Sequence, residues 1–401
     1  MQDKWLKRTF IAGTVLFILI IANLILAMLP KGQKSEQAQL HSGQQTEQAT
    51  QEKIVARITG SGDMLYHAPV YRSAYKNGTY DFSKHYAQIT PLISSADLAL
   101  GDFEGTISSE FDLAGYPLFN APIEVVDSIK KAGFDVIDLA HNHILDSRLA
   151  GVKSTIQAFK QAGLDTFGVK EKESDPDILI KDVKGIKVAI LGYAYGFNGM
   201  ESTLSTQEYN TYLKDLSPEK VKADIEAAEK QADITIVMPQ MGEEYRRTPT
   251  EEQQKLYRQM IDWGADIIFG GHPHVIEPTE IIEKDGEQKF IIYSMGNLLS
   301  NQRFETLEDY WTERGVIVEV EITKENQKTR ISDIILHPTW VSRTPLNTDV
   351  QGYPAYDYQV FLAEDYLDNG KYVNQVDENT KKRIQTAYKE AMELMNLQFK
   401  K

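Results

Sequence analysis

The chain has 401 residues, of which 42% are hydrophobic, enough to bury one large core or two smaller ones. Its formal net charge of -15 argues against a general nucleic-acid-binding surface, because neutralising phosphates takes clustered Lys and Arg. The absence of cysteine excludes disulfides, thiolate metal ligands, a cysteine nucleophile and a lipoprotein anchor.

The first predicted element is a membrane anchor at residues 10–29, which contain no charged side chain. At about 1.5 Å per residue such a helix spans roughly 30 Å, the thickness of a bilayer's hydrocarbon core. Residues 1–9 are basic, so the positive-inside rule predicts a cytoplasmic N-terminus, a single membrane pass and an extracellular domain. The alternative is a cleaved signal peptide, whose apolar region is usually shorter, and residues 26–30 form a poor cleavage site.

Residues 30–53 are rich in Gln, Ser and Thr and lack apolar periodicity, which predicts a disordered linker. From 54 to 341, short apolar runs alternate with helical patterns. The strands are predicted at 54–59, 97–100, 134–140, 187–191, 234–237, 265–270, 290–294 and 316–322. The helices are predicted at 123–132, 149–162, 218–231 and 250–263, the last with Thr250 as its N-cap. This alternation predicts an α/β domain whose sheets are covered by helices.

Residues 342–401 differ from the preceding pattern and are predicted to be a C-terminal extension. They are polar, aromatic and broken by Pro and Gly up to 376, after which 378–399 favours a terminal helix. No pattern in this stretch indicates a catalytic or ligand-binding role.

Ligand-type side chains follow five of the predicted strands, where the carboxyl ends of α/β strands commonly form a site. They are Asp63, then Asp102 and Glu104, then His141, Asn142, His143 and Asp146, then Gln240 and Glu244, and finally His272 and His274. A Gly-Asp turn or a single histidine at a strand end is commonly structural. Two H-x-H pairs with neighbouring carboxylates predict a metal site, and this mixture of donors suits Mn, Fe or Zn.

Six segments resemble the CapA family, the poly-γ-glutamate capsule biosynthesis proteins, and occur in the family's order. They are GDMLYH at 62–67, ADLALGDFEGTI at 96–107, LAHNHILD at 139–146, MGEEY at 241–245, GGHPHVIEP at 270–278 and YSMGNLL at 293–299. The resemblance implies the fold of calcineurin-like metallophosphoesterases: a four-layer α/β sandwich of two mixed sheets flanked by helices. It covers most of the predicted extracellular chain except the linker and the extension.

The resemblance also implies roles for individual residues. The implied ligands of one or two divalent ions are Asp63, Glu104, Asn142, His272, His274 and, with its amide oxygen, Gln240. His143 would protonate the leaving oxygen of a phosphoester, and Asp146 would orient His143. Residues expected to support the ligands are Asp102, His141, Glu244 and Asn297, of which Asn297 is equally well read as a turn residue.

Three residues depart from the family pattern. Gln240 stands where the family usually has His, and an amide oxygen binds these metals more weakly than imidazole. His141 and Asp102 stand where the family usually has Asn. His141 either compensates for the missing histidine or points into the sheet, so a one-metal site or weakened catalysis stays open.

The predicted function is therefore that of a membrane-anchored protein in the biosynthesis or anchoring of a capsule or other cell-envelope polymer, with a metal-dependent phosphoesterase site. The expected partners are the membrane, the polymer or a lipid-linked phosphoester, and other capsule-synthesis membrane subunits. The alternative is a non-catalytic polymer-binding or scaffold subunit of a membrane complex.

Overall fold

The computed structural model describes residues 53–401, so the predicted anchor at 10–29 lies outside the described residues, as does nearly all of the linker. None of the helices described in this range combines the length and the hydropathy that crossing a bilayer requires. The predicted α/β class is confirmed: the described chain is a mixed α/β fold.

The strands of the described chain include every one predicted from the sequence, with ends displaced by a few residues. They are β1 (Ile54–Met64), β2 (Tyr75–Lys76), β3 (Thr79–Tyr80), β4 (Leu98–Phe103), β5 (Val136–Asp138), β6 (Asp165–Phe167), β7 (Leu179–Val183), β8 (Ile186–Ala194), β9 (Ile234–Gln240), β10 (Ile267–Phe269), β11 (Thr279–Lys284), β12 (Glu287–Ile292), β13 (Asn297–Leu299), β14 (Arg314–Glu325), β15 (Lys328–Val350) and β16 (Tyr353–Leu362).

The predicted helices are present as well, joined by short ones that the sequence pattern did not indicate. The α-helices are α1 (Ala68–Ser73), α2 (Thr90–Ile93), α3 (Val125–Ala132), α4 (Arg148–Gln161), α5 (Thr206–Tyr212), α6 (Pro218–Ala228), α7 (Glu251–Trp263), α8 (Phe304–Leu307) and α9 (Glu378–Met395). Thr250 caps α7 as predicted, since its side chain accepts a hydrogen bond from the Gln253 backbone N–H.

Two large mixed sheets dominate the fold. The first has the strand order β16-β15-β14-β1-β4-β5-β6, with β13 also paired to β1, and the second has the order β11-β12-β10-β9-β8-β7. In the first sheet β1, β4, β5 and β6 run parallel, and in the second sheet β8, β9, β10 and β12 run parallel. The parallel strands of each sheet therefore end at one edge.

The apolar side chains of the two sheets form one core between them. Ile58, Leu100 and Val136 of the first sheet belong to the same buried cluster as Ile236 and Phe269 of the second. Helices α3 and α4 pack on the outer face of the first sheet, and α6 and α7 pack on the outer face of the second. Helices, sheet, sheet and helices thus follow one another in layers.

The C-terminal stretch belongs to the first sheet. β15 continues through residue 341 to Val350 and pairs with β16, so the boundary predicted at 341/342 falls inside a strand. β16 is the last strand of its sheet, where exposed polar residues and a proline such as Pro354 are tolerated because one side of the strand is unpaired. That composition hid the strand from sequence reasoning. The predicted terminal helix is α9, which places Ala391 and Met395 in the core between the sheets.

Candidate metal centre

Three aspartates lie side by side across the first sheet. Asp63 at the end of β1 is the register partner of Asp102 on β4, and Asp102 is the partner of Asp138 on β5. Leu100 and Val136, two residues earlier on the last two strands, point into the core between the sheets, so the carboxylates face the second sheet. All three are at most 3% exposed. A buried row of like charges is unfavourable unless protons or a cation neutralise it.

The second sheet approaches this row with small or neutral residues. A Cβ on Gly271 would lie 3.0 Å from Asp63 Oδ1 and 3.3 Å from Asp102 Oδ2, and a Cβ on Gly192 would collide with the Asp138 carboxylate. Gln240, at the end of β9, donates a hydrogen bond from Nε2 to Asp102 Oδ2 at 3.0 Å. The glycines therefore keep the space above the aspartates open.

Asp63, Glu104 and His274 form a buried group with one donor atom each, all within 4.8 Å of one another. His274 Nδ1 lies 2.9 Å from Asp63 Oδ2, and its Nε2 lies 3.8 Å from Glu104 Oε1. The family resemblance implied that these three residues are among six ligands. The fold brings them together from β1, from the end of β4 and from the turn after β10.

The predicted ligands also carry buried polar atoms that lack a partner within the described part of the chain. Unpaired atoms occur on five of the six predicted ligands: Asp63 Oδ1, both Glu104 oxygens, Asn142 Oδ1, Gln240 Oε1 and His272 Nδ1. Buried polar groups are nearly always paired in native proteins, and a cluster of orphaned acceptors calls for an ion or water. The residues present therefore fit one or two divalent cations.

The pKa values agree with this need for a cation. Burial, reinforced by the neighbouring Asp63, raises the pKa of Asp102 well above its usual value. Burial raises the pKa of Glu104 to about 7, although His274 opposes the shift. Burial lowers the pKa of His274, but the charge of Glu104 and the hydrogen bond to Asp63 outweigh it and raise the value to about 9. The carboxylates around His274 thus call for positive charge, and His274 must release its proton to bind a metal ion.

His143 has the geometry of a proton donor. Its Nδ1 lies 2.7 Å from Asp146 Oδ2, which also accepts a 2.6 Å hydrogen bond from the Phe119 backbone N–H. Its Nε2 points to the cluster and lies 3.9 Å from Glu104 Oε1. Burial opposes protonation, but the Asp146 hydrogen bond and the Glu104 charge together raise the pKa of His143. The imidazole is thus held by one nitrogen and free to exchange a proton at the other.

His272 and His274 both have left-handed backbone conformations, with φ of 93° and 59°. Such φ values are uncommon for residues other than glycine and mark a site where strain is tolerated. The His272 ring lies 4.5 Å from the Tyr195 ring, centroid to centroid. Burial, then the nearby His274, lowers the pKa of His272 to about 3, so its imidazole is neutral, the form that binds metal.

Asn142 lies between the cluster and a turn of the second sheet. Its Nδ2 donates to Asn198 Oδ1 at 3.3 Å, which leaves the buried Oδ1 of Asn142 as the atom without a partner. Asn198 follows β8 with φ of 54°, and its own Nδ2 lies 3.5 Å from His143 Nδ1. Asn198 therefore contacts both the implied amide ligand and the implied proton donor.

The residues expected to support the ligands occupy different places. His141 Nε2 accepts a 3.4 Å hydrogen bond from the Gly105 N–H and so lies against the loop of Glu104. His141 is not part of the Asp63, Glu104 and His274 group. Asn297 Nδ2 donates to the backbone carbonyl of His274 at 3.2 Å and holds that strained turn. Glu244 is exposed at the rim, where its charge helps to raise the pKa of His274.

Sequence reasoning missed Asp138 and Asn198. A charged residue inside the apolar run at 134–140 was a usable signal for Asp138, because an ionisable group in a buried strand needs compensation. Asn198 offered only the Asn-Gly pair with Gly199, which is an ordinary turn signal. Its contact with Asn142 joins loops from different sheets and is visible only in the fold.

Comparisons with known proteins agree with the segments identified in the sequence. The model of the family described as bacterial capsule synthesis protein PGA_cap matches residues 57–302. A capsule biosynthesis protein CapA from Bacillus anthracis is 32% identical over 263 residues, which cover 63% of this chain and 61% of that protein. A PGA biosynthesis protein CapA from Bacillus subtilis (strain 168) is 28% identical over 313 residues, which cover 75% of this chain and 74% of that protein.

Solved structures with a similar chain course include a phosphatase from Mycoplasma pneumoniae. It matches with a TM-score of 0.42 and 14% identity, over 72% of this chain and 94% of that one. The calcineurin-like phosphoesterase YfkN from Bacillus subtilis matches with a TM-score of 0.39 and 13% identity, over 85% of this chain and 99% of that one.

Proposed function

We propose that this chain, which belongs to the bacterial capsule synthesis protein PGA_cap family, is a metal-dependent phosphoesterase in the synthesis or anchoring of a cell-envelope polymer. The observation that carries the proposal is the buried Asp63, Glu104 and His274 group. It lies beside further unpaired ligand atoms and within reach of an oriented His143.

Asp63, Glu104, Asn142, Gln240, His272 and His274 would hold the metal, one or two ions of Mn, Fe or Zn. When bound, a divalent ion supplies Lewis-acid polarisation of a phosphoryl oxygen. His143 performs the proton transfer: Asp146 fixes the ring through Nδ1, and Nε2 gives its proton to the leaving alcohol oxygen as the P–O bond breaks. Water adds to phosphorus in the same hydrolysis and returns a proton to the site. The four-layer arrangement of helices and sheets also suits a metallophosphoesterase.

The proposed cellular location is the outer face of the cell membrane. The uncharged residues 10–29 behind basic residues 1–9 support a single-pass anchor with the site outside the cell. The substrate would be a phosphoester of the polymer or of its lipid-linked intermediate. Other membrane subunits of the synthesis machinery are the proposed protein partners.

A second candidate function is a non-catalytic subunit that holds polymer in the metal cleft. The specific observation that favours it is Gln240, whose amide stands where the family usually has a histidine and is hydrogen-bonded to Asp102. A catalytically silent cleft would still need its charge row neutralised, so metal binding alone does not distinguish the two functions.

The test is metal analysis of the purified full-length protein paired with hydrolysis of aryl and alkyl phosphate esters. We expect stoichiometric metal and hydrolysis, with both lost in Asp63→Ala and His272→Ala. His337→Gln is a matched control, because His337 is a buried histidine on β15 that contacts Glu364 and Glu319. Absence of metal, or full activity in the Asp63→Ala and His272→Ala variants, would overturn the proposal of a metal-dependent phosphoesterase. Metal without hydrolysis, together with failure of an anchor-swapped protein in cells, would favour the polymer-holding subunit.

A further inference from the structure

Large apolar side chains are exposed in one segment between β4 and α3, here named the rim loop (residues 108–123). Tyr116 is 78% exposed and Ile123 is 59% exposed. The remaining exposed members of this group are Phe111, Leu113 and Leu118. Single exposed apolar residues are ordinary, whereas several in one short segment indicate a contact surface.

The rim loop is held in an ordered conformation by Asn120. The Asn120 Nδ2 donates to the backbone carbonyls of Ser108 and Phe111, both at 2.9 Å, and Oδ1 accepts from the Ser108 N–H at 2.8 Å. The backbone of Ala121 also donates to the Thr106 carbonyl at 2.8 Å. Because these bonds fix both ends of the loop, its apolar side chains are presented to solvent and do not fold back onto the core.

The rim loop is continuous with the metal centre. Phe119 of this loop packs edge-on against the His143 ring, with centroids 4.8 Å apart, and its N–H binds Asp146. At the other side of the cleft the Tyr245 ring lies 6.2 Å from the His274 ring, centroid to centroid.

A cavity of about 360 Å³ lies behind the same loop. Its lining includes Leu113, Ala121 and Ile123 of the loop and Ala158 of α4. The apolar surface of the loop thus continues into a shallow groove against α4, whose lining also includes Ser154 and Gln157.

The sequence that precedes Ile54 indicates which partner contacts this surface. Residues 10–29 are an uncharged apolar segment of bilayer length, followed by the polar stretch 30–53 that leads to Ile54. Ile54 starts β1 at the end opposite Asp63, roughly 30 Å away along the strand. The polar stretch can extend to about 80 Å, so the tether allows the domain to turn its site towards the membrane.

We propose that the rim loop docks on the lipid bilayer surface, so that the cleft faces phosphoesters at the level of the headgroups. This rests on the proposed function, since it names membrane-held phosphoesters as the substrate class. The acidic Glu110 and Asp112 flank the apolar side chains and are exposed. Docking is therefore apolar and does not depend on anionic lipid.

The experiment uses the full chain, whose lack of cysteine allows unique labelling. Tyr116→Cys and, as matched control, Lys328→Cys are each labelled with an environment-sensitive fluorophore and reconstituted in phosphatidylcholine vesicles. Lys328 lies beside the turn between β14 and β15, at the end of the sheet where β1 begins. We expect the fluorophore at position 116 to show a blue shift and quenching by doxyl-labelled lipids, both insensitive to salt. The fluorophore at position 328 should show neither change.

Quenching at position 328 in place of 116 would overturn the proposal, because the tethered end would then face the bilayer. Absence of quenching at both positions would also overturn it and would leave a protein partner or a second copy as the occupant of the loop. Leu118→Glu gives an independent readout: hydrolysis of vesicle-embedded phosphoesters should fall at least tenfold, with soluble aryl phosphate unaffected. If the protein hydrolyses nothing, the quenching still reports docking, so failure of the proposed function is distinguishable from failure of this inference.

Discussion

The two sheets contribute to the candidate metal centre in different ways. The first sheet provides Asp102 and Asp138 by ordinary strand alternation, and Asp63 from the end of β1, just past an irregularity in its pairing with β4 between Gly60 and Asp63. The second sheet provides its imidazoles from the turn after β10, where His272 and His274 have left-handed φ values. The acidic half is thus built by secondary structure, whereas the imidazole half needs a strained turn.

This difference has an energetic consequence. The aspartate row is costly because like charges are buried together, and its cost disappears when a cation binds. The cost of the imidazole turn is conformational, and hydrogen bonds such as the one from Asn297 to the His274 carbonyl offset it. We therefore expect changes in the first half to act through charge, and changes in the second half to act through position.

The largest expected effect separates chemistry from metal binding in the first half. His143→Asn should lower the rate of hydrolysis of alkyl phosphoesters by about 10²–10⁴-fold, because the leaving oxygen loses its proton donor. Metal content should stay unchanged. The loss should be smaller for p-nitrophenyl phosphate esters, whose leaving group needs no proton. Steady-state kinetics with both substrates check this, and an equal loss for the two would contradict the role of His143.

The sequence located only part of the acidic half, for a physical reason. Asp63 lies at the end of β1 and Glu104 directly follows β4, and parallel strands bring such positions to one edge whatever the details of packing. Asp102 was expected only to support the ligands, and Asp138 was missed. The strand and helix alternation from 54 to 341 could be read for the same reason, since periodicity reports which face is buried.

The imidazole half could be predicted only in composition. His272 and His274 were expected to be ligands from the family resemblance, but their left-handed backbone leaves no periodic signal. The contact of Asn198 with Asn142 joins turns 56 residues apart and could not be read from either one. The outer strand β16 was missed because an edge strand has polar residues on its open side.

Asn198 tests how strongly the two halves depend on each other. Asn198→Ala should lower metal affinity by about 10–100-fold. Without the Asn198 Oδ1 acceptor, the Asn142 amide is no longer held with its Nδ2 towards Asn198 and its Oδ1 on the opposite side. Asn198→Asp keeps an acceptor for Asn142 Nδ2 and should retain the affinity. Calorimetric titration with Mn²⁺ measures both variants, and equal affinities in the two would show that position 198 has no such role.

Gln240→His tests the second half and has a smaller expected effect. We expect metal affinity to rise by up to about tenfold, since imidazole binds borderline divalent metals more tightly than an amide oxygen. Hydrolysis should rise with it if the site is metal-centred. Gln253→His is the control variant, because the buried Gln253 amide donates to Glu277 and to the Tyr293 carbonyl. A fall in affinity would show that the hydrogen bond from Gln240 to Asp102 matters more than an extra ligand.

The last test concerns the stability of the fold and a buried carboxylate of the second half that a proton neutralises. Glu277 is fully buried and accepts a 2.7 Å hydrogen bond from Gln253 Nε2. Burial raises its pKa to about 8, against the opposing effects of Gln253 and Arg246. In the unfolded chain the carboxyl ionises near pH 4.3, so between about pH 4.3 and 8 the unfolded state binds fewer protons and the folded state loses stability as pH rises.

Glu277→Gln removes that ionisation and keeps the size of the side chain. The stability of the variant relative to the parent should therefore grow between pH 5 and 8, by at most about 1.4 kcal/mol per pH unit, and level off above pH 8. Urea unfolding at several pH values in the presence of a chelator measures the difference. Glu283→Gln on β11 is the control, since Glu283 is exposed. The contradicting outcome is a Glu277→Gln profile of unfolding free energy against pH that runs parallel to the Glu283→Gln profile. The Glu277 carboxylate would then be neutralised by charge from its surroundings, as in the aspartate row. The contrast between the two halves would not extend to this residue.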